Sequence, residues 1–403
     1  MLRKSLKVCA YILGFLAVAL VGAYGFARYT VERDYAYVPL PALHADSSTA
    51  GVARGELLFQ SLCIECHGGP DGRATGKHLD ELPPFLGSFY SANLAHPEQG
   101  VARRTDEQIA RVLRNGVLPD GRYSAVMSGF GKLGDADVAA LLGYMRSGAP
   151  TFAPGGELQP RTQLTAAGAL ILTYIARVDV SAPASGVPVP QKAANVEYGA
   201  YMTTAMDCGS CHTAGFAADK LDQPGAFAGG MDLVDPTGTT IYSKNITFDP
   251  ATGIGRWSLD DFQRAVTRGI SKDGYSVRKP MPLFARLDRT DVEAIYLYLQ
   301  TLPKVERKNQ AGGHPLKKAE ASDSAEQLFV NLGCVACHGE SGPHRDKLAG
   351  ALEKSEAEIA RWILDPQAIK PGSPMPSFQG ALDPAQAERL AAYVKELAKK
   401  PRG

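Results

Sequence analysis

Apolar residues follow two different patterns along this chain. From Val8 to Ala27 they run for twenty residues without a charge, behind Arg3, Lys4 and Lys7. At 1.5 Å per residue such a stretch just spans the hydrocarbon core of a bilayer. The leading positive charges favour an inside N-terminus, and Tyr24, Phe26 and Tyr29 with Arg28 read as an interfacial anchor at the far end. A cleaved secretory signal is the competing reading, although its apolar region usually covers only about 7–15 residues. Under either reading the bulk of the chain is exported.

Beyond residue 50 the apolar positions take helical spacing, three times over. Opening helices are predicted at 52–62, 196–206 and 325–332, and closing helices at 135–146, 288–302 and 383–399. Between them stand helix starts of capping-box form: Thr105 with Gln108, Ser258 with Asp261, and Ser355 with Glu358. Asp383-Pro384-Ala385-Gln386 is a further start, with proline at the first helical position. The stripe Val138, Leu141, Leu142, Met145 marks a core face. No alternating run of comparable strength argues for strands, so the fold expected is mainly α. A repeated supersecondary unit implies tandem domains behind the N-terminal transmembrane helix. The division expected is 1–34 for the anchor, 35–150 for the first domain, 151–192 for a Pro/Gly-rich linker with a short helix, 193–305 for the second domain, 306–321 for a polar linker and 322–403 for the third domain. The apolar run Ala166 to Ala176 inside the first linker is too short to cross a membrane and is expected to pack between domains or against a partner subunit.

The chain has 403 residues, 43 Lys plus Arg against 42 Asp plus Glu, and a formal net charge of +1. That balance argues against nucleic-acid binding, which needs a basic surplus to neutralise phosphates. A hydrophobic share of 45% lets each domain bury a core. Cysteine changes the picture most: apart from Cys9, all fall into one pattern, Cys63-Ile-Glu-Cys66-His67, Cys208-Gly-Ser-Cys211-His212 and Cys334-Val-Ala-Cys337-His338.

Two thiols three positions apart on a helical turn meet the two vinyl groups along one haem edge, and the next residue presents its imidazole to the iron. A redox CxxC needs no following histidine, a structural zinc site needs four ligands from paired motifs, and a disulfide framework leaves the histidines unexplained. The pattern therefore points to three covalently bound haem c. His67, His212 and His338 are then iron ligands.

Electron carriers of this kind commonly add a methionine thioether as second axial ligand. Met375 lies in Pro374-Met375-Pro376-Ser377-Phe378 and Met281 in Lys279-Pro280-Met281-Pro282-Leu283, where flanking prolines fix the backbone. Met202 and Met206 sit on an opening helix and read as core, and Met231 is a further competitor. The first segment has no Met-Pro, but an internal comparison selects Met127. Tyr90-Ser91-Ala92-Asn93-Leu94 echoes Tyr242-Ser243-Lys244-Asn245-Ile246, and Arg114-Asn115-Gly116-Val117 echoes Thr267-Arg268-Gly269-Ile270. Met127 then precedes Leu133 and Asp137 by the intervals that separate Met281 from Leu287 and Asp291. Met145 falls on the core stripe, and His78 and His96 are the alternative ligands. Phe59, Leu62, Leu332 and Phe85 are expected to keep water from the haems.

Together with the three CxxCH motifs and Met281-Pro282, the runs Tyr242-Ser243-Lys244-Asn245-Ile246-Thr247 and Thr252-Gly253-Ile254-Gly255-Arg256-Trp257-Ser258 resemble the tri-haem cytochrome c subunits of membrane-bound bacterial alcohol and gluconate dehydrogenases. The resemblance covers most of residues 50–400 and implies three class I-like cytochrome c domains in tandem. It implies thioether attachment at Cys63, Cys66, Cys208, Cys211, Cys334 and Cys337, with His67, His212 and His338 proximal and Met281 and Met375 distal. It also implies electrons taken from a quinoprotein or flavoprotein dehydrogenase and passed to ubiquinone, at the periplasmic face of the inner membrane; a terminal oxidase is another partner compatible with the chemistry. The chain departs from that family in its N-terminal span and in the missing Met-Pro of its first domain. A haem enzyme of peroxidase type, with an open iron in the first domain, is the alternative function.

Overall fold

The computed structural model describes every residue except 1, 70, 81, 216–220, 236–237, 311, 313–316, 341, 343, 371–372, 374 and 401–403, and leaves out the side chains of 2–6, 125, 128 and 129. Pro374 of the third methionine loop thus lies outside the described residues. The chain divides into two compact units, Met1–Gly55 with His67–Pro188, and Glu56–Cys66 with Val189–Gly403. The division runs through the first CxxCH, between Cys66 and His67. The second and third motifs share the second unit.

In the first unit, α1 (Leu2–Glu32) holds within Lys7–Glu32 an 18-residue apolar window of mean hydropathy 2.1, none of it buried. It is long and apolar enough to cross a membrane. α2 (Thr49–Leu58) runs on through a π-helical turn, Phe59–Cys63, into α3 (Ile64–His67). α4 (Asp106–Asn115) starts on the Thr105–Gln108 capping box and stops at Gly116, whose φ of 66° closes the helix in the left-handed region. α5 (Asp135–Arg146) packs on α2 at Gly55, where a Cβ would come within 1.9 Å of the Ala140 carbonyl oxygen, so only glycine lets the helices approach this closely. Arg54 clamps the same crossing, with Nε and Nη2 each 2.8 Å from the buried Asp137 carboxylate. β1 (Gly87–Ser88) pairs antiparallel with β2 (Gln163–Leu164) and brings the linker back to this unit.

α6 (Ala166–Ile171), capped by Thr165, continues as a π-turn over Leu172–Ala176. The run Ala166–Ala176, expected between haem domains or against a partner subunit, has a contact within its own unit. It lies against α1, where the Tyr174 hydroxyl donates to the Ala23 carbonyl at 3.0 Å and the Tyr174 ring meets Phe26 at 6.2 Å. The apolar character read from its sequence finds its partner in the strongly apolar α1.

The second unit repeats the α2–α4–α5 plan. α7 (Val196–Ala205) leads to α8 (Cys208–Cys211), and β3 (Asp232–Val234) pairs with β4 (Thr240–Tyr242) in register Leu233–Ile241. α9 (Leu259–Arg268) carries the Ser258–Asp261 capping box and ends at left-handed Gly269. α10 (Arg289–Thr301) crosses α7 at Gly199, whose Cβ would lie 1.9 Å from the Ala294 oxygen. Buried Asp291 ties this crossing to the Tyr198 hydroxyl at 2.7 Å and to Lys192 at 2.9 Å. In the third segment α11 (Ala325–Asn331) leads to α12 (Cys334–His338), α13 (Glu356–Leu364) to the short α14 (Pro366–Ile369), and α15 (Pro384–Ala398) closes the chain on its Asp383–Gln386 capping box. Leu328, Leu332, Ile359, Ile363, Leu390 and Ala391 form its core. Ile270 of the second segment joins that core, so the two haem segments of this unit share apolar packing.

Candidate haem sites

Each CxxCH sits on a helical turn immediately after its opening helix, and the residue before the first cysteine sets the break. Asp207 and Gly333 turn left-handed there, with φ of 52° and 81°, whereas the first motif is reached through the π-turn instead. Burial pushes the thiols of Cys63, Cys208, Cys211 and Cys334 up to about 12 and that of Cys337 upward as well. At neutral pH they are thiols rather than the thiolates that a redox-active pair presents.

The three imidazoles are held in one way. His67 Nδ1 lies 2.9 Å from the Ala92 carbonyl, His212 Nδ1 2.7 Å from that of Lys244, and His338 Nδ1 3.0 Å from that of His344. A carbonyl only accepts, so Nδ1 carries the proton and Nε2 presents its lone pair. Burial moves all three imidazoles below their ordinary pKa and keeps them neutral, the form that binds a metal. A backbone partner on the second nitrogen also orients the ring, as expected for a metal-ligating histidine. The donor set therefore fits haem c at each motif: paired free thiols, half-buried, for the two vinyl groups and a fixed neutral nitrogen for the iron.

The loops that supply those carbonyls explain the echo between Tyr90–Leu94 and Tyr242–Ile246. Ala92 and Lys244 occupy equivalent positions. Two residues past each histidine-binding carbonyl, the amide nitrogens of Leu94 and Ile246 bond back to Ala74 and Phe227. Between them, buried Asn93 and Asn245 each accept from a backbone amide two residues on, Ala95 and Thr247, and donate to distant carbonyls: Gly155 and Glu157 for Asn93, Val305 for Asn245. Ser91 and Ser243 accept from the amides of Lys77 and Met231. Left-handed Gly76 and Gly229 then donate to the His67 and His212 carbonyls at 2.9 and 2.7 Å. The third motif has a shorter solution: the His344 amide donates to the Cys337 carbonyl while the His344 carbonyl receives the imidazole. Sequence reading found the echo but not its task, because a backbone acceptor leaves no side-chain signature; the recurrence of Tyr-Ser-x-Asn downstream of both histidines was the available clue.

The candidate distal methionines occupy matching places. A bridge joins Val117 to Tyr123 in the first segment and Ile270 to Ser276 in the second, and Met127 and Met281 follow a few residues later. Their amides bond to the carbonyls of Ser124 and Arg278. Met375 precedes Phe378, whose amide bonds to Ile363, and its side chain packs on the third core. All three are half-buried, Met127 on the 3-10 turn Ala125–Phe130 and Met281 and Met375 in loops, while Met145, Met202, Met206 and Met231 are core residues. His78 is turned toward Asp80, with Nδ1 2.6 Å from its carboxylate, and His96 Nδ1 accepts from the amides of Glu98 and Gln99. Phe59 and Leu332 are buried, and Leu62 is half-buried. Phe85 is 58% exposed and stands beside Thr165 at the start of α6, whose hydroxyl donates to its carbonyl at 2.6 Å.

The chain matches the family described as cytochrome c oxidase, cbb3-type, subunit III over residues 50–145 and 320–394, stretches that hold the first and third motifs with Met127 and Met375. It is 44% identical over 105 residues to the cytochrome c subunit of a quinone-type alcohol dehydrogenase from Gluconobacter oxydans (strain 621H), covering 26% of this chain and 20% of the relative. Identity is again 44% over 105 residues with the cytochrome c subunit of a gluconate 2-dehydrogenase from Pantoea cypripedii, 26% and 22% of the two chains. The cytochrome subunit of a fructose dehydrogenase from Gluconobacter japonicus is 34% identical over 141 residues, 34% and 28% of the two. The chain thus spans about a fifth of the length of the first two relatives and under a third of the last. Held imidazoles beside paired thiols are what a haem-binding electron carrier requires, and with these likenesses the chain is a mainly helical c-type cytochrome, built of cytochrome c domains and carrying covalently bound haem c.

Proposed function

We propose that the chain is a membrane-tethered tri-haem cytochrome that relays single electrons on the periplasmic side of the bacterial inner membrane. Its donor is a dehydrogenase or a quinol, and its acceptor a quinone such as ubiquinone or a respiratory terminal oxidase. The observation that carries the reading is the threefold recurrence of a CxxCH whose histidine gives Nδ1 to a backbone carbonyl. In this reading Cys63 and Cys66, Cys208 and Cys211, and Cys334 and Cys337 anchor the porphyrins, and His67, His212 and His338 bind from the proximal side. Met127, Met281 and Met375 bind from the distal side. Haem c, when bound, supplies a one-electron ferric/ferrous couple; the chain orients the imidazoles, excludes water with residues such as Phe59 and Leu332, and holds the attachment points in place. The dehydrogenase donor is supported by the names of the relatives, and the tether by α1.

The test is the intact mass of the mature chain purified from its native membrane, together with what accompanies it. The expected result is the mass of the polypeptide with α1 retained plus three haems, and a co-purifying dehydrogenase. A mass with fewer haems ends the tri-haem reading, and a mass lacking α1 ends the tether.

A further inference from the structure

We propose that the helical run Ala166–Ala176 is a second membrane-contacting element, lying in the headgroup and upper acyl region of the bilayer beside α1. The proposal rests on the reading of α1 as a membrane anchor. Its depth is set by α1 itself. The Tyr174 hydroxyl bonds the Ala23 carbonyl, and its ring packs on Phe26. Ala23 lies five residues before Arg28, the first charge at this end of the apolar stretch, or about 7 Å deeper along the helix. Helices that lie in the membrane interface bury their apolar face by about 5–10 Å. A side chain joined to α1 at Ala23 is therefore below the level at which that helix meets water.

The chemistry of the run suits that level. Tyr174 and Ile175 are 46% and 56% exposed, although they carry a large ring and a branched aliphatic chain. Tyrosine favours the interface because one end of its ring is apolar and the other wet. The run contains no charge, and Arg177 follows at once, a long cationic side chain suited to lipid phosphates. At its other end Thr165 and Gly168 fix the run to the haem-bearing unit: a Cβ on Gly168 would stand 1.9 Å from the Leu86 oxygen, so the helix lies directly on that backbone. The contact is thus rigid at one end and lipid-facing at the other. Its consequence is orientation: a single spanning helix leaves its domain free to swing, whereas a second contact near α1 limits the tilt of the first haem segment over the membrane.

The experiment uses the full-length holoprotein in phosphatidylcholine vesicles containing a phosphatidylcholine with a diazirine in its acyl chain. After irradiation, lipid adducts are mapped by peptide mass spectrometry. Adducts are expected on α1 and on residues 172–176, but not on Leu158, an exposed apolar residue (49%) outside the contact. Ile175→Asp, at a surface position, should abolish the adducts on 172–176 and leave those on α1. Adducts on α1 with none on 172–176 overturn the inference and leave the anchor intact, as does a protein subunit covering the run in the purified complex. No adducts on α1 refute the anchor reading itself.

Discussion

Asp207 stands immediately before the second motif with a φ of 52°, where Gly333 serves the third with 81°. Aspartate and asparagine tolerate that conformation better than most side chains. The residue also carries a charge. Burial pushes its carboxyl up to about 6, against the Ser210 hydroxyl that donates to Oδ1 and favours the anion. A raised folded-state pKa means that the folded chain holds this proton more tightly than the unfolded chain, so stability falls as pH rises from about 4 towards 6. An anion beside the second haem also favours its ferric state. The potential of that haem should therefore fall as pH rises through about 6, and Asp207→Asn should flatten this dependence; potentiometric titrations from acid to neutral pH measure it. Gly229 tests the carbonyl cradle. At a φ of 69°, a Cβ there would meet the Ser243 oxygen and the Lys244 carbonyl carbon at 2.5 Å. Left-handed backbone alone costs a side chain about 1–2 kcal/mol, and the clash adds to it by displacing the acceptor of His212. Thermal unfolding should show Gly229→Ala losing more stability than Gly148→Ala, which has a φ of 75° but nothing within 4 Å.

Helices were the most legible part of this chain. The capping boxes at Thr105, Ser258, Ser355 and Asp383 all form, because a side-chain oxygen and an N3 partner are local signals. The closing helix at Asp135–Arg146 has the bounds expected of it, and its stripe Val138, Leu141, Leu142, Met145 is buried. Less legible was what the helices do to each other. The clamps at Asp137 and Asp291 engage different residue types, Arg54 in one segment and Tyr198 with Lys192 in the other, so the matching aspartates could be aligned in sequence but not their partners. Gly55 and Gly199 look like weak helix formers in sequence and turn out to be crossing points. Alanine would gain about 1 kcal/mol of helix propensity at Gly199. Yet a Cβ 1.9 Å from the Ala294 oxygen and 2.9 Å from the Tyr298 Cβ forces α7 and α10 apart, an overpacking cost of about 1–3 kcal/mol or more. Gly199→Ala should therefore lower the melting temperature despite the better propensity; an unchanged or higher value would show that the crossing is loose. The run Ala166–Ala176 was legible as an apolar helix but not in its placement, since periodicity says which face is buried and not against what.

At the scale of the molecule, the second unit gathers attachment cysteines of all three motifs around one ion pair, because residues 56–66 belong to it. Lys279, two residues before Met281, reaches both carboxylate oxygens of Glu65, inside the first CxxCH, at 2.8 and 2.9 Å. Cys337 of the third motif is near enough that, with burial pushing its thiol up, Lys279 opposes the shift while Asp235 and Glu65 add to it. Burial dominates at Cys211 too, where Asp207 and Cys66 of the first motif add to the upward shift. Charges this close to several attachment points act on more than one haem, since unit charges in a partly buried setting interact over several ångströms with energies of the order of 1 kcal/mol or more. A positive charge destabilises the ferric state and raises a potential. Lys279→Gln should therefore lower the potentials of at least two haems, and Glu65→Gln should raise them. The double variant should lie nearer the wild-type potentials than either single variant, because the two effects oppose one another and the pair as a whole carries no net charge. Spectropotentiometric titration of the wild-type and variant holoproteins decides the matter. A shift confined to one haem would mean that the pair serves a single site and that the attachment points do not share a common field.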